Sequence, residues 1–454
     1  METIQTQALV CGGGSGGFAA AYTLARSGIR TLLIEQNPGL GGTSVFGGVN
    51  CYEPGVSSGH VHELLYRALA QMPGAAAVCR SAPGSRLLDP DSDAVDLARY
   101  PWGLSEPDPS ADYADTLARC LSLTGGRADA WRRLQFEPAA MNAVMSRMLQ
   151  SVGAAVWLGA QLTHCSASGD LLTEAVVKRN GTETRVRADY FVDATGGLVL
   201  ARSAGCRTVI GADGRDAYGE PSAGAADPTD VNGVSFVFRI AKDADENHMD
   251  HLPEPADLPD FDLPISCFNR YPNGDINVNM LPTMRGSTYL ALGDAADAVC
   301  RGRVNAYWNR LQQSYGLRGY RLVHRFPMPG IRESYRLCGR YVLTEHDILL
   351  GADHQPNRAE IVALADHARD THGSGGCSEI VVPYGIPLDC LRMREYENGY
   401  VACRGASFSH TAASSARLSR TMLALGEAVG YAIAMQENEG KIDFSRLRQW
   451  MKIE

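Results

Sequence analysis

The chain has 454 residues, 45% hydrophobic and 20% charged, which allows a large core and two or three domains. A formal charge of -9, with no block of like charges, excludes the basic footprint that nucleic-acid binding needs. Twelve cysteines without a Cys-x-x-Cys pair exclude a disulfide-stapled scaffold and a paired-ligand zinc site; no metal is expected, and the thiols read as packed groups in a reducing cytoplasm.

The first residues run into a strand without a basic n-region or an apolar signal core. The most apolar later stretch, Thr421 to Met435, is glycine-rich and carries Glu427, so no membrane span is expected and the protein reads as soluble and cytoplasmic.

Ala8 to Cys11 reads as a short strand. It leads into Gly12-Gly13-Gly14-Ser15-Gly16-Gly17, a helix to about Arg26, a break at Gly28, and a second strand from Thr31 that ends in Glu35. This is strand, G-x-G-x-x-G, helix, strand, acid. Gly12 permits the tight turn, Gly14 lets backbone approach a pyrophosphate, and Gly17 permits close helix–strand packing. The helix tip offers free N–H groups to phosphate, and Glu35 can accept hydrogen bonds from ribose hydroxyls. Gly12, Gly14, Ser15, Gly16, Gly17, Glu35 and Gln36 are therefore expected to bind a dinucleotide. The motif alone does not separate FAD from NAD.

After Glu35 comes Gly41-Gly42-Thr43, which resembles the FAD side of flavoprotein folds and adds Gly42 and Thr43 to the cofactor set. Residues 188–197 form an apolar strand ending in Ala194-Thr195-Gly196, which looks like a second FAD signature; by itself the segment reads better as a buried strand with a glycine turn. Asn398 to Arg404 reads as a strand, followed by a loop and a helix from about Ser415 to Met435, with Leu418, Met422, Leu425, Val429 and Ile433 on its buried face. The tip of such a helix, aimed at a flavin pyrimidine ring, stabilises negative charge there.

Together these segments resemble the FAD-dependent oxidoreductases related to the fumarate reductase and succinate dehydrogenase flavoproteins. The resemblance extends over most of the chain, including Gly330-Ile331-Arg332-Glu333-Ser334, Asp370-Thr371-His372 and Ile386-Pro387. It implies FAD as cofactor, Arg404 and Arg417 as further contacts, and a small organic substrate with a separate electron donor or acceptor. Two positions depart from the family pattern: Gly197 replaces an acid after Ala-Thr-Gly, and Cys403 precedes Arg404 where glycine is usual. Ser44 and Val49 stand where disulfide reductases carry their cysteines, and Cys51 reads as a packed thiol. No histidine lies between Glu35 and Gly59 to tether the flavin, so noncovalent FAD is expected. A second G-x-G-x-x-G is missing as well.

The expected fold is α/β: a discontinuous Rossmann-like FAD domain over residues 1–60, 130–215 and 380–454, a partly helical insertion over 61–129, and an α+β substrate or cap domain over 216–379. Strand character at Val234 to Ile240 and Ile276 to Met280, and helix at Val304 to Tyr315, fall in the cap. Four residues are candidates for chemistry. Arg332 is either an anion clamp or an ion-pair partner of Glu333 or of another carboxylate at a domain interface. Asp370 and His372, two apart on one strand face, are either a tuned base or a structural pair. His410 is either reactive or a satisfied loop histidine. The expected activity is hydride transfer to or from flavin N5, with a flavin monooxygenase or a non-catalytic FAD protein as alternatives.

Overall fold

The computed structural model describes residues 1–53, 55–83, 100–111, 132–255, 265–314, 316–371, 377–378 and 382–453. Its centre is a five-stranded parallel sheet in the order Gly399–Val401, Tyr190–Asp193, Ala8–Cys11, Thr31–Glu35, Ala155–Leu158. Every residue of Ala8–Cys11 and Thr31–Glu35 is buried, as expected of parallel strands covered on both faces. The register sets Cys11 beside Ile34 and Asp193, so these strands end at one common edge. Ligands of open parallel sheets bind outside that carboxyl edge.

Two helices cross on one another beside the sheet. The Ser15–Arg26 helix packs against the Ser419–Glu439 helix; a Cβ on Gly426 would collide with the Gly16 carbonyl oxygen, and one on Gly16 with the Ala402 carbonyl oxygen. Glycine here is a requirement of close approach. The second helix is buried along nearly its whole length from Arg420 to Met435, so its apolar surface is a wrap rather than the single stripe expected from spacing.

The C-terminal region differs from the sequence expectation in one further respect. Residues before Ser415 are not all loop: His410–Ser415 forms its own short helix, and the long helix begins at Ser419. Ser409 accounts for the extra turn, because its hydroxyl accepts the Ala412 N–H at 3.1 Å.

Two smaller sheets flank the nucleotide layer. Glu2–Gln5 joins Thr182–Arg187, Leu171–Arg179 and Ala160–Ser168, while Arg132–Phe136 lies between Cys51–Tyr52 and Ala76–Arg80. Over the carboxyl edge stands the cap, an antiparallel sheet in the order Tyr320–Arg325, Val237–Lys242, Ile276–Leu281, Ile265–Arg270, Ala82–Pro83. The Ala296–Ser314 helix covers it, and Tyr307, Trp308 and Leu311 pack with Phe238, Phe268 and Val278 into a second core. Ala82, from the expected insertion, belongs to that core. Leu337, Leu343, Ile348 and Ile361–Ala365, within the expected cap, pack instead with the first core, because their strands and helix lie against the C-terminal layer. Arg239 ties the cap to the nucleotide layer by pairing with Glu137 at 2.7 Å, and Asp275 of the cap itself holds its Nε at 2.6 Å.

Candidate functional site

A cavity of about 970 Å³ runs from the glycine-rich turn, along the carboxyl edge of the parallel sheet, to the underside of the cap. Its two ends have different chemistry.

The first end is built from backbone. Gly12 adopts φ +103°, and a Cβ there would lie 2.5 Å from the Ala194 carbonyl oxygen, so only glycine fits. Gly14 is the N-cap of the first helix and makes no side-chain cap, which leaves N–H groups of that turn for a ligand. A Cβ on Gly14 would meet nothing within 4 Å, so the space before it is open. Gly17 instead packs so closely on the Gly12 carbonyl that a Cβ would overlap it. The Glu35 carboxylate accepts N–H from Gly13 at 2.6 Å, and its other oxygen accepts the Asn37 backbone at 2.8 Å and amide at 2.7 Å. A carboxylate offers about four acceptor sites, so one remains for a ligand hydroxyl.

Gly14, Ser15, Gly16, Glu35, Gln36, Gly42, Thr43, Ala194, Thr195, Gly196, Arg404 and Arg417 all line this cavity, together with Gly12; Gly17 stands behind it. Asp193 holds the second glycine turn from below by accepting the Thr195 N–H at 2.9 Å, its hydroxyl at 2.6 Å and the Ala201 N–H at 2.9 Å. The Arg404 guanidinium lies against Gly196 and pairs with no carboxylate among the described residues; burial pushes it below the usual arginine range, and its Nε has no partner. An open helix tip, a spare carboxylate acceptor and an uncompensated guanidinium along one cavity fit the ribose, pyrophosphate and flavin of FAD. Leu418, Ser419 and Arg420 bring the tip of the long C-terminal helix to the same cavity.

The second end is built from charged side chains drawn from distant segments. Arg133 pairs with Glu53 at 3.1 Å, Arg420 with Asp366, and Arg417 with Asp370 at 3.6 Å. Burial would raise Glu53, but Arg133, His367, Arg420 and Arg417 outweigh it and hold the carboxyl below its ordinary value. Arg332 forms no ion pair with Glu333. It donates Nη1 to the Gly233 carbonyl at 2.8 Å and pairs with no carboxylate among the described residues. Burial and then repulsion from Arg417 push its guanidinium down to about 9, against the pull of Asp370. Ser81, Cys267 and Asn279 complete the polar wall below the cap.

The sequence candidates therefore separate. Arg332, Asp370 and Arg417 meet in the chamber, whereas His372 lies outside the described residues. His410 does not line the cavity. Its Nδ1 meets Glu333 at 3.0 Å, and Glu333 also binds Arg336, which reaches Asp213 at 2.9 Å. Burial would lower His410, but Glu333 raises it, the signature of a charged structural partner. Cys51 stays outside the lining, and burial pushes its thiol up to about 12. Sequence reasoning missed Glu53, Arg133, Asp366, His367 and Arg420. Only Arg420 carried a usable signal, three residues beyond Arg417 on the helix tip.

Among the described residues, no helix is long and apolar enough to cross a membrane, and no three metal-ligating side chains cluster. Two of the solved structures that resemble the whole chain illustrate the likeness. One is a geranylgeranyl bacteriochlorophyll reductase-like protein from Thermoplasma acidophilum, with TM-score 0.51 and 13% identity over 99% of this chain and 83% of that one. The other is the myxobacterial chondrochloren halogenase, an FAD-dependent halogenase, with TM-score 0.50 and 14% identity over 100% and 79%. At such identity the likeness establishes the fold alone. No curated protein sequence matches the chain. The family model for FAD dependent oxidoreductases matches residues 7–451, so this chain is a member of the FAD-dependent oxidoreductase family and an FAD enzyme.

Proposed function

We propose that the chain exchanges a hydride with a small organic anion seated beneath the cap, and that Arg332 binds the anion's carboxylate or enolate oxygen. The observation that carries this reading is a desolvated guanidinium lining the cavity without a carboxylate among the described residues. A half-buried cation lacking a counter-charge is costly, and a bound anion lowers the cost. The Gly233 carbonyl fixes one Nη, leaving the rest of the guanidinium for ligand oxygen.

FAD held along Gly12, Gly14, Ser15, Gly16, Glu35, Gln36, Gly42, Thr43, Ala194, Thr195, Gly196 and Arg404 supplies the two-electron chemistry. It is bound noncovalently, because no histidine is offered by the loop between Glu35 and Gly59. Asp370 serves as the counter-charge of Arg417 and keeps that side of the chamber neutral. His410 acts at one remove, fixing Glu333, whose carboxylate accepts the Asn232 N–H at 3.0 Å beside the Arg332 loop. The cap sheet covers the chamber and excludes water, which strengthens every charge interaction within it.

The test is an anaerobic screen of small hydroxy, keto, amino and unsaturated acids against matched neutral alcohols and amines, read as bleaching of the flavin band. Acids bleach it, and Arg332→Met slows that bleaching about a hundredfold with flavin content unchanged. Equal bleaching by neutral compounds would refute the anion assignment.

A further inference from the structure

We propose that Tyr271 of the cap is a positioning residue for the cofactor, acting through Asn50 on the segment from Gly41 to Asn50, so that FAD binding and cap docking strengthen each other. The inference rests on FAD lying along Gly42 and Thr43. The segment is held at both ends. At its start the Gly41 N–H donates to the Gly13 carbonyl at 2.8 Å, and a Cβ on Gly42 would stand 3.1 Å from Gly14 Cα. At its far end a Cβ on Gly48, whose φ is +75°, would lie 2.5 Å from the side chains of Val237, in the cap sheet, and Phe326, just beyond it. The Met328 N–H also donates to the Phe46 carbonyl at 3.0 Å. Between these ties, Gly42, Thr43 and Val49 are half-buried and line the cavity.

A polar relay links the cap to the back of this segment. Tyr271 opens the turn that joins the cap strands Ile265–Arg270 and Ile276–Leu281, and the Arg239 guanidinium lies 3.9 Å over its ring. Its hydroxyl donates to Asn50 Oδ1 at 2.5 Å and accepts Asn277 Nδ2 at 2.9 Å. That Nδ2 also donates to the Gly48 carbonyl at 2.9 Å. Asn50 passes the constraint on, because its Nδ2 donates to the Ser44 carbonyl at 2.8 Å while the Val49 N–H meets the Thr43 carbonyl at 3.3 Å. Ser44 Oγ then meets Ser419 Oγ at 3.0 Å, on the tip of the long C-terminal helix. Tyr271, Asn277, Asn50 and Ser44 are each no more than 2% exposed, so water does not replace a lost partner.

The places of Thr43 and Val49 on the cavity wall are thus set from behind by a cap side chain. FAD orders the front of the segment, which lowers the cost of docking the cap on its back. By linkage the docked cap raises FAD affinity by the same factor. The Arg239–Glu137 pair, which also joins the two layers, ends on residues outside this segment and has no such coupling.

Three variants of the full chain test this: Tyr271→Phe, which keeps the ring and loses the hydroxyl, Asn50→Leu, and the two together. The FAD dissociation constant is read from the fluorescence of flavin released on dilution. Cap docking is read from hydrogen exchange in peptides covering residues 41–50 and 276–281, in the holoprotein and after dialysis has removed the flavin. Tyr271→Phe is expected to raise the dissociation constant about fivefold, the size of one lost buried hydrogen bond. The double variant is expected to raise it no further than Asn50→Leu alone. In the wild type FAD slows exchange over both peptides, and in Tyr271→Phe its effect on residues 276–281 shrinks. A tyrosine that merely stabilises the cap would speed exchange there equally with and without FAD and leave the dissociation constant unchanged. That result, or additive effects of the two substitutions, overturns the proposal. If FAD does not slow exchange over residues 41–50 in the wild type, its placement along Gly42 and Thr43 is wrong and the inference falls with it.

Discussion

The two ends of the cavity solve the same problem, holding negative charge away from water, by opposite means. At the glycine-rich end the donors are backbone N–H groups at an uncapped helix tip, and the one carboxylate, Glu35, is already fixed by Gly13 and Asn37. At the cap end the donors are side chains: Arg133, Arg332, Arg417 and Arg420 are opposed by Glu53, Asp366 and Asp370, with Arg332 unmatched by a carboxylate among the described residues. A backbone site is generic and serves one cofactor in many enzymes. A side-chain site can be changed one residue at a time, and under the proposed function the specificity of this chain resides there.

Four perturbations sharpen the contrast. Gly14→Val has the largest effect: its Cβ meets no protein atom within 4 Å but fills the space before the helix tip, so the chain folds and is purified without flavin. Circular dichroism and the 450 nm band check both halves of that statement. Arg332→Met comes next, with full flavin content and bleaching slowed about a hundredfold.

The third effect is on stability against pH. The folded value of His367 is depressed to about 4 from an ordinary 6.5, so between these values the unfolded chain takes up a proton that the folded chain refuses. Stability is therefore lost as pH falls from 6.5 toward 4, by about 3 kcal/mol at most, and His367→Asn removes that slope in urea titrations. The smallest effect is at Cys51, outside the cavity lining. Cys51→Ser should change bleaching less than twofold and stability by under about 1 kcal/mol.

The same contrast explains what the sequence made legible. Gly12, Gly14, Gly17 and Glu35 fall within one strand–helix–strand unit, where spacing along the chain dictates position in space, and the parallel sheet followed from it. The chamber has no such local grammar. Glu53, Arg133, Arg332, His367 and Arg417 come from five separate segments, brought together only when the cap packs on the sheet. His410 and His367 show the limit clearly. The histidine in the more recognisable motif is locked to Glu333, and the one without a motif lines the cavity. The extra His410–Ser415 turn was hidden for a related reason, since the Ser409 cap is a local signal outweighed by the longer apolar run beyond it.

Flavin content and anaerobic bleaching rate, measured side by side for Gly14→Val and Arg332→Met with a small organic acid, test the two-part cavity most directly. A colourless folded protein is expected from the first substitution and a yellow, slowly bleached one from the second. A yellow Gly14→Val, or an Arg332→Met bleached as fast as the parent, would contradict it.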